Sequence, residues 1–394
     1  MSTWVGVGSS KKSDSYQAGR EAAAQAMARM GMTTADLYLA FGSVRFEQEA
    51  LLRGIRFATN EAPLIGCSTA GEITAEGPTK RSVVVVAIRS TMLTVTTGVG
   101  LHLDTAPRQA GEGVALPSAR ARPPNPHVFL MFPDGVSGNV AEAIRAVQMT
   151  LGTSFPIVGG SAGDDFLFQR TYQYHQHAVY SNSIVGALLA GPIAVGIGAR
   201  HGWRPLGKPR FVTRALANIV HELDGRPAVN IYEEYFGKGA QELPQESLAR
   251  MTIIYPLGMP IPGEEEYLLR NVLKTTPQGD LVYAGEVPEG SAVRLMMGSK
   301  EHALEAARRA AERAMAGLGT KVPQLALIFS SVSRARLFGR DAGAEIRCIR
   351  EIIGPTTPIA GFYGYGELAP LSSEQYLGKT YYHNETLVVV ALAE

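Results

Sequence analysis

Cysteine is nearly absent from the chain: two occur in 394 residues, Cys67 and Cys348. They form neither a CxxC nor a Cys/His group at structural-zinc spacing, so a disulfide framework and a zinc module are both excluded. No CxxCH occurs, which excludes covalently attached haem. Charge of one sign is also missing. With 37 basic and 36 acidic residues and a formal charge of +1, the chain is not a broadly polybasic nucleic-acid binder. The opening MSTWVGVGSSKKSDS has no signal-peptide h-region, and cytoplasmic localisation is expected. The longest apolar stretch, 184–199, is interrupted by Gly186, Gly191, Pro192, Gly196 and Gly198. It is too short and too broken for a spanning helix and reads as two adjacent buried strands.

What is present is glycine, 43 residues, with hydrophobic residues at 45%. The glycines follow no collagen period and sit between apolar runs, so they punctuate folded structure. Helix and strand patterns alternate. Ser13 or Asp14 caps a helix reaching about Met30, 36–41 is a strand, 46–58 an amphipathic helix, and 63–66 enters a short buried strand. Residues 81–88 and 93–99 read as a strand pair. The order returns with a strand at 127–132, a helix at 138–150 and strands at 171–180, 184–190 and 193–199. It returns again with a helix at 299–318, a strand at 324–331, a helix at 342–353 and a last strand at 386–392. Residues 117–126, rich in proline, read as a linker or loop. Residues 203–290 have weaker periodicity, with strand-turn-helix at 218–236.

Three junctions align: PLIGCSTAGEI (63–73), PIVGGSAGDD (156–165) and PIAGFYGYGEL (358–368). Each runs proline, two apolar residues, glycine, a small or aromatic turn, glycine, acid. This is a degenerate internal repeat whose unit is strand, helix, strand, glycine turn. The fold class is α/β (mixed α+β), with mixed sheets flanked by helices. Glycine turns at strand ends let a ligand or another backbone approach closely, and ligands in α/β folds favour strand ends. Three such turns, carrying Glu72, Asp164 or Asp165, and Glu367, converge on one cleft in this reading. An ammonium group would meet a carboxylate there, and a carboxylate would meet backbone N–H groups or Arg. Tyr363 and Tyr365 would close over the ligand, and Asn384 would orient it.

At GCSTAGEI (66–73), GGSAGDD (159–165), HGWRPLG (201–207), GYGEL (364–368) and HNET (383–386), the chain resembles the FIST family over nearly its whole length. The resemblance implies a FIST N-terminal domain at 1–215 and a FIST C-terminal domain at 216–394. It implies an intracellular sensor of a small ligand such as an amino acid, acting on a partner histidine kinase, diguanylate cyclase or phosphodiesterase, with homo-oligomers open. It places Gly66, Cys67, Ser68, Thr69, Gly71, Glu72, Gly159, Gly160, Ser161, Gly163, Asp164, Asp165, His201, Tyr363, Tyr365, Glu367 and Asn384 around the ligand. One branch of the family holds haem and senses nitric oxide. A non-covalent haem b here would draw its axial ligand from His175 or His177, which lie two apart and would share a strand face. Many relatives carry a cysteine near Ser333-Arg334-Ala335-Arg336, and this chain does not.

Two other readings stay open. Gly159-Gly160-Ser161-Ala162-Gly163 is a literal G-x-S-x-G, and Cys67 sits in the first glycine turn, so a hydrolase using either is an alternative. The serine version needs a helix behind it, and 164–180 reads as strand. A scaffold without a ligand is the other alternative. Gly6-Val7-Gly8 and Gly98-Val99-Gly100 complete no G-x-G-x-x-G or Walker loop, so a known nucleotide loop is not expected.

Overall fold

The computed structural model describes residues 3–237, 251–264, 266–370 and 379–394. Among them the chain forms three six-stranded sheets built on one plan, and a further sheet inserted late. The first repeat contributes β1 (Thr3–Ser10), β2 (Leu37–Ser43), β3 (Leu64–Thr69), the hairpin β4–β5 (Glu72–Thr74 and Gly77–Thr79) and β6 (Val83–Ser90). The second contributes β7 (Thr94–Leu101), β8 (Pro126–Pro133), β9 (Ile157–Gly160), the hairpin β10–β11 (Gln173–His175 and Ala178–Tyr180) and β12 (Ser183–Ala190). The third opens with β13 (Ala194–Arg200) and is then interrupted. The interruption is a separate sheet of β14 (Arg204–Leu216), β15 (Ile219–Leu223), β16 (Arg226–Pro227), β17 (Leu257–Pro260), β18 (Tyr267–Arg270), β19 (Val272–Thr275), β20 (Leu281–Tyr283) and β21 (Ala292–Met297). The repeat resumes with β22 (Leu325–Ser331), β23 (Ile359–Gly364), the hairpin β24–β25 (Glu367–Pro370 and Thr380–His383) and β26 (Leu387–Ala393).

Within each repeat the strands order as first, last, second, third, with only the second and third parallel. The hairpin does not stay at home. The first repeat's β4 pairs with β23 of the third, the second's β10 with β3 of the first, and the third's β24 with β9 of the second. The exchange is cyclic, so every sheet is completed by a neighbour. It also crosses position 215 in both directions. The inner faces of the three sheets share one core, and at its centre Phe41, Phe132 and Phe329 stand at the same register position of β2, β8 and β22. Their ring centroids lie 5.5, 5.7 and 6.4 Å apart, within the range of favourable aromatic pairs. Phe362 packs against all three.

Helices cover the outer faces. Ser15–Met30, Pro107–Ala121 and Lys300–Leu318 each follow the first strand of their repeat and present small residues to it. The opposing strand carries Gly-x-Gly every time: Gly6 and Gly8, Gly98 and Gly100, Gly196 and Gly198. A Cβ on any of these six would lie 1.8–2.3 Å from a helix carbonyl oxygen. The motif therefore serves close strand-helix packing. The second helices, Gln48–Phe57, Val140–Leu151 and Gly343–Ile353, connect the parallel strands. Asp14 caps the first helix, accepting from Gln17 N at 2.7 Å.

Four expectations need correction. Pro117 lies inside the helix Pro107–Ala121 and is not in a linker. Its ring faces Gly98 of β7, where the strand has no side chain to meet it. Residues 171–180 form a hairpin rather than one strand, because Gln176 turns with φ 56°. The pairs 81–88 with 93–99, and 184–190 with 193–199, are consecutive in sequence but lie in different sheets. Each repeat ends and the next begins on antiparallel strands, so the chain changes face between them. No helix among the described residues is long and apolar enough to cross a membrane.

Candidate functional site

The three glycine turns meet at the carboxyl ends of the parallel strands and are tied together by backbone bonds. Ala70 N donates to Tyr363 O and Tyr363 N to Gly71 O, joining the first and third repeats. Gly163 N donates to Ser68 O, joining second and first, and Ser161 N to Gly366 O, joining second and third. Gly66, Gly159 and Gly361 hold one register position, opposite Ala40, Met131 and Ile328. A Cβ there would fall 1.8–2.0 Å from the facing strand's carbonyl oxygen. Gly163 and Gly364 permit the turns themselves to approach, with Ala70 N and Ser161 O in the way of any Cβ.

The acids of the turns do not line one cleft. Asp164 is spent on its own loop, accepting from Phe168, Gln169 and Arg170 N–H groups at 2.8–3.0 Å and from the Tyr365 hydroxyl. Asp165 accepts from Ser43 Oγ at 3.2 Å and pairs with Arg45. Ser68 Oγ bridges Gly163 O and Tyr172 N. Register identifies the true counterparts. Glu72 faces Phe362, Gln173 faces Cys67 and Glu367 faces Gly160, at the same place in their sheets. The second repeat has a longer loop, which moves Gln173 into the position that the aligned junctions assign to Asp165. Each of the three meets the residue at the start of its repeat's last strand, Ser82 and Thr386 just before theirs and Ser183 the first of β12. Ser82 donates to Glu72 through both N (3.1 Å) and Oγ, Ser183 Oγ donates to Gln173 Oε1 at 2.8 Å, and Thr386 N donates to Glu367 at 3.1 Å.

At this point the symmetry breaks. Glu72 has both oxygens bonded, the second by Thr69 Oγ1 at 2.5 Å. Burial, partly offset by these bonds, pushes its carboxyl up to about 7. Glu367 has one oxygen, Oε1, without a hydrogen bond although the residue is fully buried. Burial, with Glu385 beside it, pushes that carboxyl well above the usual range. Glu385 occupies a left-handed turn with φ 58°, matching Arg81 (53°) and Asn182 (52°) in the other repeats. Of these it alone is a buried acid. Neither of its carboxyl oxygens accepts a hydrogen bond of good geometry, the Ser333 hydroxyl stands beside it, and burial pushes it up to about 8.

Arg334 is the completely buried cation that the third repeat brings to this region. Its guanidinium donates to Glu345 Oε1 at 2.5 and 2.9 Å and to the carbonyls of His201, Glu385 and Ala303 at 2.5, 3.1 and 2.7 Å. Glu345 Oε2, Tyr363 Oη and Ser330 Oγ are buried nearby in the third repeat without partners. From the inserted sheet comes Asn271, whose amide donates to Ser333 Oγ at 3.2 Å and whose N–H reaches Asn384 Oδ1 at 3.5 Å. Asn384 in turn donates to Tyr365 O at 3.4 Å. Arg270, beside Asn271, donates to Tyr382 O at 2.9 Å. The cluster therefore lies in the seam between the strand ends of the third repeat and the inserted sheet.

The expected residues thus divide. Tyr363, Glu367 and Asn384 belong to the seam. Gly71 and the first two turns tie the repeats together by backbone bonds, and Gly160 pairs with Glu367. Cys67 is buried in the shared core, and burial pushes its thiol up. Ser161 Oγ has Tyr382 Oη at 3.4 Å as its partner, and no helix follows it. Arg334, Glu345, Glu385, Ser333 and Asn271 were missed. Glu385 had a signal, since it lies inside HNET, whereas Asn271 stands in weakly patterned sequence.

The histidines do not form a ligand pair. The turn at Gln176 sends His175 inward to Thr97 Oγ1 (3.1 Å) and leaves His177 exposed beside Glu61 (2.8 Å). His201 Nδ1 accepts from Trp203 N at 2.8 Å and its Nε2 lies 2.7 Å from Glu266, while His383 Nε2 bonds Ala369 O at 2.8 Å. Among the described residues no group of three or more His, Cys, Asp or Glu is placed to hold a metal ion.

A model described as the FIST N domain matches residues 36–226, and one described as the FIST C domain matches 228–370. An uncharacterized protein of Mycobacterium tuberculosis is 27% identical over 380 residues, 95% of this chain and 96% of that protein. An uncharacterized protein of Mycobacterium bovis is 25% identical over the same length and shares. Among solved structures, a chorismatase (9% identity, TM-score 0.38) and the cyanuric acid hydrolase of A. caulinodans (10%, TM-score 0.40) align over 100% of this chain. They cover 98% and 100% of their own chains, and at these scores they carry no argument about chemistry.

Proposed function

The chain belongs to the FIST family, and from that premise we propose that it is a sensor whose small ligand binds in the seam between the third repeat and the inserted sheet. FIST domains are generally sensory ligand-binding domains. One observation carries the choice of place. Three equivalent positions hold Glu72, Gln173 and Glu367, and only Glu367, under the inserted sheet, keeps an unsatisfied oxygen among other unsatisfied oxygens. Buried polar groups are normally paired, and a cluster of exceptions marks a site.

The ligand in this reading is amino-acid-like. Its ammonium group would be received by Glu367 and Glu385, with Asn271 and Asn384 orienting the rest. Binding would tighten the seam, and a ligand that prefers the tightened state shifts the population towards it. The inserted sheet would then present a different surface to a signalling partner, a histidine kinase or a cyclic-di-nucleotide enzyme. Haem b with nitric-oxide sensing stands second, because the candidate axial histidines are engaged. A thermal-shift screen of the common amino acids tests the reading. The expected result is stabilisation of the full chain by one or a few of them, lost in Asn271→Ala. A Soret band from protein produced with haem supply, in place of such stabilisation, would reverse the order.

A further inference from the structure

The seam contains three fully buried carboxyl groups, Glu345, Glu367 and Glu385, and the cation that bears on them is Arg334. Arg334 gives all its bonds to Glu345 and to backbone carbonyls. Glu367 and Glu385 are therefore a second and third carboxyl without a counter-charge of their own. Two carboxylates buried together without a counter-charge of their own are too costly to coexist.

The groups that face them do not supply the missing charge: Arg270, the buried cation of the inserted sheet, gives its bonds to the carbonyls of Leu269, Glu286 and Tyr382. Ser333 approaches Glu385 from the helix Val332–Phe338, and Thr386 donates a backbone N–H to Glu367. Tyr382, which stands by Glu367, is pushed up to about 12 by burial and remains a neutral phenol. His383, paired in register with Glu367, is driven down to about 4 by burial and is uncharged at neutral pH. The Tyr363 hydroxyl, 2% exposed and near Glu345 and Arg334, has no partner at all. The unpartnered atoms of the third repeat here are Glu345 Oε2, Glu367 Oε1, both Glu385 oxygens, Tyr363 Oη and Ser330 Oγ. Four of the six are carboxyl oxygens, which once ionised only accept, and the two hydroxyls can each donate one hydrogen bond, so acceptors outnumber donors.

We propose that the Glu367–Glu385 pair holds a proton in the free protein and exchanges it for the N–H-bearing cationic group of the ligand, so that binding releases one proton to solvent. This rests on the sensor reading for its location and goes beyond it in coupling occupancy to pH. The proton leaves the carboxyl pair for water as the ammonium enters. Both carboxylates then face the ligand's positive charge, and because one positive charge leaves as another enters, the net charge of the buried site is unchanged. The donors of the ammonium satisfy the orphaned oxygens. A quaternary ammonium would neutralise charge but leave those oxygens unbonded.

Methylammonium chloride is the probe, compared with tetramethylammonium and sodium chlorides at equal ionic strength, by thermal shift of the full chain between about pH 6 and about pH 8.5. The expected result is methylammonium affinity rising about tenfold per pH unit below the pair's titration. Tetramethylammonium should give no such stabilisation. Glu385→Gln should abolish the pH dependence. A second measurement is independent of any variant's folding. Infrared difference spectra of the wild-type chain should lose the carbonyl stretch of a protonated carboxylic acid when methylammonium binds. Equal stabilisation by both cations, a pH-independent affinity, or an unchanged carboxyl band overturns the proposal. If an amino acid from the screen binds with pH-independent affinity, the proton exchange fails while the sensor stands. If neither methylammonium nor any amino acid stabilises the chain, the sensor reading fails as well.

Discussion

Glu72 and Glu367 occupy the same position in two copies of one repeat, yet only Glu72 has both carboxylate oxygens bonded. The two should therefore respond differently to the same substitution. Glu72→Leu strands the Ser82 N–H and the Thr69 hydroxyl in a buried site, at about 1–3 kcal/mol for each group left unsatisfied, while the Ser82 hydroxyl keeps Thr79 Oγ1 as a partner. Glu367→Leu strands one N–H, that of Thr386, and relieves Glu385 of an acidic neighbour. Urea midpoints should fall markedly for the first and much less for the second. Equal losses would remove the asymmetry on which the site assignment stands.

The same carboxyls fix the pH dependence of stability. Glu72 at about 7 and Glu385 at about 8 bind protons more tightly folded than unfolded, as does Glu367. Their contribution is full below the unfolded carboxyl range of about 4.3 and is lost as pH rises through the folded values. Glu266 works the other way. Burial raises it, but His201 and Arg200 more than offset that and hold it at about 2, so its contribution fails only in acid. Melting temperature should decline from about pH 5 to about pH 8.5, and Glu385→Gln should flatten the decline and exceed wild type at the alkaline end. Parallel curves for the two proteins would count against a protonated Glu385.

Much of this architecture could be read from spacing. The three glycine junctions, the alternation of helix and strand, and the helix at 299–318 all rest on local pattern, and local pattern survives folding. What could not be read is what depends on partners distant in sequence. Nothing near Glu72 announces that its hairpin pairs with β23, nearly three hundred residues on, because a three-residue strand carries almost no periodicity. The acid of the second junction was misplaced for a related reason. Counting along the sequence gives Asp165, and only the sheet register reveals Gln173. The seam was half legible: Glu367 and Asn384 lie in motifs, whereas Arg334 and Glu345 stand eleven residues apart on successive α-helices and become a pair only through burial. The Gly-x-Gly pairs were visible, but their purpose lies in the opposing helix.

That purpose gives a sharp contrast between two neighbouring glycines. At Gly100 of β7 a Cβ would lie 1.9 Å from Ala110 O, whereas at Gly113 of the facing helix it would find nothing nearer than 3.6 Å. Gly100→Ala must push strand and helix apart, with an overpacking cost of about 1–3 kcal/mol or more. Gly113→Ala meets ordinary contact distances and gains up to about 1 kcal/mol of helix propensity. Denaturant midpoints should move in opposite directions. Gly6, Gly8, Gly196 and Gly198 should behave like Gly100.

Hydrolysis through Ser161 or Cys67 makes the last test. A serine nucleophile needs a base within hydrogen-bond reach, usually oriented by a third group. The partner of Ser161 Oγ is the Tyr382 hydroxyl at 3.4 Å, and burial with the nearby Glu367 keeps that phenol protonated up to about 12, so it cannot accept the proton at neutral pH. Cys67 is fully buried among the core side chains of β2, β3 and β6, and burial raises its thiol with no cation to oppose it, which suppresses the thiolate that reacts. Ser161→Ala and Cys67→Ala should therefore leave any background turnover of an activated ester unchanged, measured against Gly113→Ala as a folded control. A rate that collapses in Ser161→Ala alone, with the melting temperature preserved, would make the chain an enzyme and the seam its substrate site.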